Sequence, residues 1–201
     1  MESKCYFALK KFRVKKLNDK ESLYIPTHFK TPSLFKKKQK LSPFLKDSKN
    51  PYLYFTHASH LKNYCILGLG GNKGNVLETF YKLFFRIQKK NAIIHKSIFY
   101  KNPPFGYTQQ DDFYNAILWL KTQKSLAEFF AYTAYLERIF GRARKRDFKN
   151  APRTLDIDIV GFKNKKIVLK HLQIPHKEWI KRESVKIPLL WGENETSNLQ
   201  G

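Results

Sequence analysis

The chain has few cysteines, few acidic residues and no long apolar run. Only Cys5 and Cys65 occur among 201 residues, and Cys65 lies in an apolar run whereas Cys5 lies in a polar segment, which argues against a disulfide framework. No stretch approaches the roughly 18–20 apolar residues that a membrane-spanning helix needs. The N-terminus also lacks the charged-then-apolar pattern of a secretory signal. We therefore expect a cytoplasmic protein that does not enter a membrane.

Negative charge is scarce, because 16 Asp and Glu face 39 Lys and Arg and give a formal net charge of +23. Such an excess favours anionic partners. It is spread along the whole chain, however, with residues 1–60 holding 14 Lys and Arg against 4 Asp and Glu. A general lysine bias would look the same, so charge alone does not indicate nucleic acid.

Composition, proline positions and charge runs divide the chain into three parts. With 42% hydrophobic residues the chain can form one domain with a sizeable core, which we place at residues 61–192. Residues 1–60 contain four prolines and the charge run Lys36–Lys40, and no helical or strand period persists there. We predict a basic, irregular N-terminal extension, partly disordered and partly draped over the domain, that the chemistry does not require. Residues 193–201 are predicted to be a disordered tail.

Hydrophobic periodicity predicts alternating strands and helices from residue 64 onward. A helix is expected after the cap pair Asn75 and Glu78, and another after the capping box at Ser125 and Glu128, ending at Gly141. Strands are predicted at residues 64–69, 93–100, 113–120, around 155–159 and at 167–169, with a turn at 164. This order indicates an α+β fold, a ferredoxin-like βαββαβ core with a mostly antiparallel sheet and its helices on one side.

Asp156 and Asp158 are the most informative residues. They alternate with the apolar residues on either side, so both carboxylates should lie on one face of a strand, about 6.5–7 Å apart at Cα. Carboxylate oxygens suit Mg²⁺, which leaves its other positions to water and substrate phosphates. Four arginines lie within a short distance along the chain: Arg142, Arg144, Arg146 and Arg153. This combination indicates metal-bound polyphosphate; the alternative is a solvated basic loop beside a salt-bridged strand.

Three other segments have a functional and a structural interpretation. Gly68–Gly74 follows a strand and enters a helix, where phosphate could bind, but it matches neither the dinucleotide nor the P-loop pattern and could be a tight turn. Asn102–Gly106 is held rigid by two prolines. Asn115 shares a strand face with Phe113 and could satisfy a neighbouring loop or pair with the edge of a heterocycle. His176 and Arg182 could contact phosphate, or could be a turn contact and surface charge.

These motifs, in this order, make residues 64–190 resemble the 6-hydroxymethyl-7,8-dihydropterin pyrophosphokinases of folate biosynthesis. The match is carried by the turn Gly70-Gly-Asn72, by Tyr100-Lys-Asn-Pro-Pro-Phe-Gly106, by Phe113-Tyr-Asn-Ala116, by Glu137, by Gly141-Arg-Ala-Arg144, by Pro152-Arg-Thr-Leu-Asp-Ile-Asp158 and by Pro175-His176. The segment ending in Asp-Ile-Asp is highly specific. Residues 1–60 lie outside the resemblance.

The resemblance implies a role for each matched residue. Asp156 and Asp158 would hold two Mg²⁺ ions across the phosphates of ATP. Phosphate contact or catalysis would fall to Arg142, Arg144, Arg153, His176 and Arg182. Glu137 and Ile159 would lie beside the nucleotide. The pterin would be bound by Asn102, Pro103, Phe105, Phe113 and Asn115, with Phe113 stacking on its face and Asn115 reading its edge.

Three positions depart from the family pattern. Gly-Gly-Asn replaces the usual Gly-Ser-Asn, and Ser184 stands where an aromatic residue commonly provides one wall of the pterin site. Trp179 or the N-terminal extension could supply that wall. The loop between Arg144 and Arg153 is one residue longer than in familiar members, so Arg146, Phe148 and Lys149 have no certain counterpart.

The implied reaction is transfer of diphosphate from ATP to the hydroxymethyl group of the pterin, with release of AMP. We expect a monomer whose partners are these two substrates and not nucleic acid. Two other interpretations remain: a ferredoxin-like RNA-binding module, and a palm-like nucleotidyltransferase with an Asp-x-Asp metal pair. The first would need basic and aromatic residues on a central strand, whereas the most distinctive strand here is acidic. The second would make Asn115, the prolines at 103–104 and the loop arginines coincidences.

Overall fold

A computed structural model describes residues 12–26, 64–141, 150–163, 165–169, 172–177, 179 and 181–194, apart from the side chains of 190–194. The strands are β1 (Phe12–Lys16), β2 (Ser22–Pro26), β3 (Tyr64–Gly71), β4 (Ala92–Lys96), β5 (Phe99–Asn102), β6 (Phe113–Lys121), β7 (Asp156–Phe162), β8 (Ile167–Leu169) and β9 (Leu172–Ile174). The helices are α1 (Val76–Gln88), α2 (Leu126–Ile139) and α3 (Glu183–Asn194).

Seven strands form one antiparallel sheet in the order β1-β2-β5-β6-β3-β7, and β4 also pairs with β6. β8 and β9 form a separate two-stranded sheet. Along the chain, β3, α1, β4 with β5, β6, α2 and β7 reproduce the predicted βαββαβ succession. The ferredoxin-like α+β fold is therefore confirmed.

The two faces of the sheet carry different helices. One face packs against α1 and α2 in a core that includes Leu67, Phe80, Leu118 and Ile157. The opposite face packs against α3, with Leu189 beside buried residues of β3, β6 and β7. The helices were predicted to lie on one side of the sheet. This is confirmed for α1 and α2, whereas α3, on the opposite face, was not predicted.

Local capping signals are confirmed at both predicted helices. The Asn75 side chain accepts a hydrogen bond from the backbone nitrogen of Glu78 at 3.1 Å. Ser125 and Glu128 form a complete capping box at the start of α2. Gly141 follows α2 with φ of 87°, a conformation that glycine adopts without steric cost.

The predicted strand at 93–100 is two strands. β4 and β5 both pair with β6, and Ser97 lies between them. The Ser97 hydroxyl donates to the carbonyl of Ile98 at 2.7 Å and accepts from the backbone nitrogen of Ile117 at 2.8 Å. A side chain thus replaces a backbone partner at the break, which periodicity cannot reveal.

Residues 12–26 form a β-hairpin, contrary to the expectation that no strand occurs in the extension. β2 pairs with β5 through Leu23 opposite Tyr100, so the hairpin extends the main sheet. Leu23 is 0% exposed and Ile25 is 4% exposed. β2 is only five residues long and apolar on both faces, since Tyr24 packs against the other core, so it lacks a recognisable alternation.

The remaining predictions about chain organisation fall partly outside the described residues. These include the turn at 164 and the rest of residues 1–60. α3 continues to Asn194, so the first two residues of the predicted tail are helical, and residues 195–201 are outside the described part. No helix in the described ranges combines the length and apolar character needed to cross a membrane.

Candidate active site

A row of cross-strand neighbours defines the site on the sheet face opposite α1 and α2. Tyr100 lies opposite Asn115, Asn115 opposite Gly70, and Gly70 opposite Asp156. Strands are spaced by about 4.7–4.9 Å, so Asn115 and Asp156 are separated by about 10 Å. A Cβ atom on Gly70 would lie 3.3 Å from Asn115 Oδ1. Because Gly70 has no side chain, it does not fill the space between the Asn115 amide and the Asp156 carboxylate.

Asp156 and Asp158 project from β7 on this face, as predicted, while Ile157 and Ile159 lie in the opposite core. The pKa of Asp158 is raised by burial and by the neighbouring Asp156. His176, Arg182 and Arg153 act in the opposite direction and favour its ionised form. The site therefore holds two neighbouring carboxylates with three basic side chains near them.

Arg153 links the carboxylates to the predicted pterin side. Its guanidinium forms a salt bridge with Asp156. The guanidinium carbon also lies 5.4 Å from the centroid of the Phe113 ring. Arg153 Nε is buried without a hydrogen-bond partner among the described residues. A buried guanidinium nitrogen without an acceptor suits a site that receives an anionic ligand.

Asn72 anchors the loop that carries Arg153, a role that was not predicted from the sequence. Its Oδ1 accepts from the Arg153 backbone nitrogen at 2.9 Å, and its own backbone nitrogen donates to the Arg153 carbonyl at 2.9 Å. Its Nδ2 donates to Gln110 Oε1 at 2.8 Å and to the Asp111 carbonyl at 3.0 Å. The sequence signals were a polar residue directly after the glycines that end β3 and the place of this turn in the family resemblance.

Gln110 completes this connection between loops. Its Nε2 donates to the carbonyl of Asn150 at 3.1 Å and to that of Tyr107 at 2.6 Å. Gly71 allows the close approach, since a Cβ there would lie 2.7 Å from the Thr154 carbonyl oxygen. The end of β3, the loop before β6 and the loop before β7 are therefore held together.

The two asparagines predicted to bind the pterin contact one another. Asn115 Nδ2 donates to Asn102 Oδ1 at 2.6 Å, and Asn102 Nδ2 donates to the carbonyl of Pro103 at 2.7 Å. Asn115 is 8% exposed. This is the neighbouring-loop contact that the sequence left open, and it connects β6 to the rigid proline segment.

Glu137 and Ile159 lie away from the carboxylate face. Glu137 is buried on α2, and its Oε1 accepts from the backbone nitrogen of Ile157 at 2.8 Å. The Ile159 side chain is in the core beneath α1 and α2. β7 is the outermost strand at one end of the described sheet, and Glu137 fixes its backbone between the two carboxylates.

The segment after β9 brings His176 and Arg182 toward Asp158, as their effect on its pKa indicates. The His176 backbone nitrogen donates to the carbonyl of Val160 at 3.0 Å, which attaches this segment to β7. Trp179 is 3% exposed in the core beneath α3. It does not supply the wall missing at Ser184.

Other predicted residues lie at the rim or outside the described chain. Phe105 is 90% exposed on the proline segment. Both aromatic residues of the described hairpin, Phe12 and Tyr24, pack on the helix face of the sheet and cannot line this site. The predicted catalytic residues Arg142 and Arg144 lie outside the described residues, as do the unmatched Arg146, Phe148 and Lys149.

An antiparallel sheet with paired carboxylates, a partly buried guanidinium and a buried asparagine amide on one face has the features of a phosphate-transferring enzyme. The model of the 7,8-dihydro-6-hydroxymethylpterin-pyrophosphokinase family matches residues 66–192. The chain belongs to this family.

Several relatives agree with the family match. The chain is 50% identical over 129 residues to a 2-amino-4-hydroxy-6-hydroxymethyldihydropteridine pyrophosphokinase of Helicobacter pylori, covering 63% of this chain and 79% of the relative. It is 36% identical to the protein of the same name in Campylobacter jejuni, covering 64% of this chain and 82% of the relative. It is 31% identical to a folic acid synthesis protein of Dictyostelium discoideum, covering 63% of this chain and 19% of the relative.

The predicted enzyme class is therefore confirmed: the chain is a diphosphokinase, a transferase of folate biosynthesis. The RNA-binding module and the palm-like nucleotidyltransferase are not favoured. The family is one of ATP-using kinases that are generally Mg²⁺-dependent.

Proposed function

We propose that the chain transfers diphosphate from ATP to 6-hydroxymethyl-7,8-dihydropterin, giving AMP and the pterin diphosphate. The observation that carries this proposal is the row formed by Asn115, Gly70 and Asp156. In this row the Asn115 amide and the carboxylate pair share one face, and the sheet residue between Asn115 and Asp156 is a glycine. A planar heterocycle at the amide end could then extend its hydroxymethyl group toward phosphates at the carboxylate end.

Asp156 and Asp158 are the proposed ligands for two Mg²⁺ ions. Their chemistry fits, because carboxylates are the usual protein ligands of Mg²⁺ and burial beside Asp156 raises the pKa of Asp158, which a nearby divalent cation would offset. In the described residues no group of three or more His, Cys, Asp or Glu could hold a metal. Water and phosphate oxygens would complete the coordination. Mg²⁺, when bound, neutralises phosphate charge and orients the reacting oxygens.

Phosphate binding is assigned to the cations around this pair. Arg153 is supported by its buried Nε without an acceptor in the described part of the chain. His176 and Arg182 are supported by their electrostatic influence on Asp158. Arg142 and Arg144 are proposed from their positions in the sequence. Positioning and charge neutralisation by such groups are the main demands of phosphate transfer.

The nucleotide is proposed to lie along the outer edge of β7. The Ile157 backbone nitrogen points away from β3, since it donates to Glu137. Backbone groups alternate in direction along an antiparallel strand, so those of Ile159 should also point outward. Ile159 would therefore contribute its backbone, and Glu137 would keep the strand in place.

The pterin is assigned to Asn102, Pro103, Phe105, Phe113 and Asn115. Its hydroxymethyl oxygen forms a bond to the β-phosphorus of ATP as the bond from that phosphorus to the α,β-bridging oxygen breaks. AMP leaves with the bridging oxygen, and the hydroxyl proton is released to solvent. Arg153 lies between Phe113 and Asp156 and would orient the oxygens at the point of transfer.

We also propose that the enzyme is a cytoplasmic monomer that does not bind nucleic acid, with its pyrophosphokinase domain at residues 61–192. The described cysteine, Cys65, is free and buried, which suits a reducing compartment. Sedimentation of the purified protein, with and without added RNA, would test the monomer and the nucleic-acid parts of this proposal.

An assay of nucleotide products tests the reaction. Incubation with ATP, Mg²⁺ and the pterin should release AMP, and omission of the pterin should stop the release. Release of ADP would instead indicate transfer of a single phosphate and would contradict the proposal. Asp156→Asn and Asp158→Asn should each reduce turnover by more than about a hundredfold. Asp19→Asn, at an exposed hairpin position, is the matched control.

Asn115→Leu tests the pterin pocket separately. It should raise the KM for the pterin by more than about tenfold, because leucine leaves the polar edge of the bound pterin without a partner. The KM for ATP should stay within about twofold, because ATP does not contact this residue in the proposed site. Equal weakening of both substrates would place the pterin elsewhere.

A further inference from the structure

The N-terminal hairpin lies directly beside the proposed pterin side of the sheet. β2 pairs with β5 from Ser22 opposite Lys101 to Tyr24 opposite Phe99. Asn102 is the last residue of β5. The strand that presents Asn102 is therefore held between β6 and a segment that lies outside the family match.

Tyr100 connects the hairpin to the site. Its side chain is 0% exposed, and its hydroxyl donates to Glu21 Oε1 at 2.6 Å. It lies opposite Asn115 on β6 and two residues before Asn102, so all three side chains share one face of the sheet. On its other side Tyr100 lies opposite Leu23, which is fully buried.

The bond between Glu21 and Tyr100 is built into a packed interface. Leu23, Ile25, Ile98 and Tyr100 form a core of their own, with Ile187 of α3 against it. Burial and the bond to Glu21 both raise the pKa of Tyr100, so its hydroxyl stays protonated and donates. Removing the acceptor would leave a buried hydroxyl without this partner and would permit the ring to shift.

We propose that Glu21 is a positioning residue for the pterin site, acting through Tyr100 to hold Asn102 and Asn115 in their bonded arrangement. The hairpin is thus part of the substrate-binding structure and not an accessory segment, contrary to the expectation that the chemistry does not need it. This inference rests on the proposed pterin role of Asn102 and Asn115.

The test compares three variants with a matched control. Glu21→Ala and Tyr100→Phe each break the bond to the hydroxyl. Glu21→Gln keeps an oxygen acceptor and should restore function. Asn18→Ala is the control, because Asn18 Nδ2 donates to the other Glu21 oxygen, Oε2, at 2.7 Å without touching Tyr100.

At a temperature where every variant is folded, Glu21→Ala and Tyr100→Phe should each raise the KM for the pterin by about tenfold, which is about 1.4 kcal/mol. The KM for ATP should stay within about twofold of the parent value, and the double variant should be no worse than either single one. Asn18→Ala and Glu21→Gln should resemble the parent enzyme.

Other results overturn the inference. A lower melting temperature with an unchanged pterin KM would show that the bond is only structural. Equal weakening of pterin and ATP would show a general loosening of the fold. Asn115→Leu distinguishes failure of the Glu21 proposal from failure of the proposed pterin site. If Asn115→Leu raises the pterin KM and Glu21→Ala does not, the pterin site is supported and the role of Glu21 is wrong. If Asn115→Leu has no effect, both ideas fail.

Discussion

Arg153 and Asn72 hold each other through two reciprocal hydrogen bonds, each 2.9 Å long. The Arg153 backbone nitrogen donates to Asn72 Oδ1, and the Asn72 backbone nitrogen donates to the Arg153 carbonyl. Since the Arg153 side chain contacts both Asp156 and Phe113, the orientation of the guanidinium depends on this backbone connection. Asn72 is 3% exposed, so water cannot easily replace its side chain.

Asn72→Ala should lower both stability and turnover. It removes acceptor and donor together and leaves the part-buried Arg153 nitrogen and Asp111 carbonyl without these partners, at a cost of up to about 1–3 kcal/mol for each. Asn72→Asp separates the two contributions, because it keeps the acceptor for Arg153 and loses the donor to Gln110. We expect Asn72→Asp to preserve turnover better than Asn72→Ala does. Equal turnover in the two variants, measured by AMP release, would show that the Arg153 bond is not the important one.

Asp158→Asn should stabilise the Mg²⁺-free protein while removing activity. The pKa of Asp158 is raised above its usual 3.8, so its contribution favours folding below that value and is lost as pH rises through the folded pKa. At about pH 7.5 the buried carboxyl therefore stabilises the fold less than a neutral amide would, and asparagine should raise Tm by about 2–4 °C for each kcal/mol regained. Thermal unfolding in chelator across a pH series measures this. A lower Tm in the variant at neutral pH would contradict the expectation.

His95 should make the protein sensitive to mild acid. Burial, and secondarily Lys96, lowers its pKa from 6.5 to about 4. Protonation therefore favours the unfolded chain between these values, and stability is lost as pH falls from about 6.5 to about 4, by up to about 3 kcal/mol. His95→Gln should flatten the pH dependence of the urea midpoint within that window. An unchanged slope would mean that other groups cause the acid sensitivity.

Phe105 is expected to cover the bound pterin. Its ring is 90% exposed, so Phe105→Ala should leave Tm within about 2 °C, since exposed substitutions typically change stability by less than about 0.5 kcal/mol. The KM for the pterin should rise, whereas that for ATP should not. Phe85→Ala is the control, because Phe85 is 65% exposed on α1 at the other face of the sheet. A pterin KM that does not respond to Phe105→Ala would leave the wall opposite Phe113 unassigned.

Features that depend on neighbours in sequence could be predicted. The caps at Asn75 and Ser125 need only a residue three positions later, and the alternation around Asp156 and Asp158 needs only the period of a strand. Both carboxylates consequently lie where the sequence placed them. Asn115 was placed on the correct strand face for the same reason.

Features that depend on distant partners could not be predicted. Asn72 gains its importance from Arg153 and Gln110, which are 81 and 38 residues away. β2 is stabilised by β5, far along the chain, and its own five residues carry no clear period. α3 contains Pro188, which obscures a helical pattern. Non-local pairing and an internal proline therefore account for these omissions.

β1 is the outermost strand at one end of the described sheet, and its last four residues, Arg13 to Lys16, are exposed. Three of these four are cationic. A strand at the margin of a sheet offers backbone groups to strands of other molecules, and like charges repel such neighbours. Without the hairpin, β5 would offer its own backbone in place of β1. We therefore expect the charged hairpin to disfavour edge-to-edge association of copies of this chain, and a form without it to associate more readily.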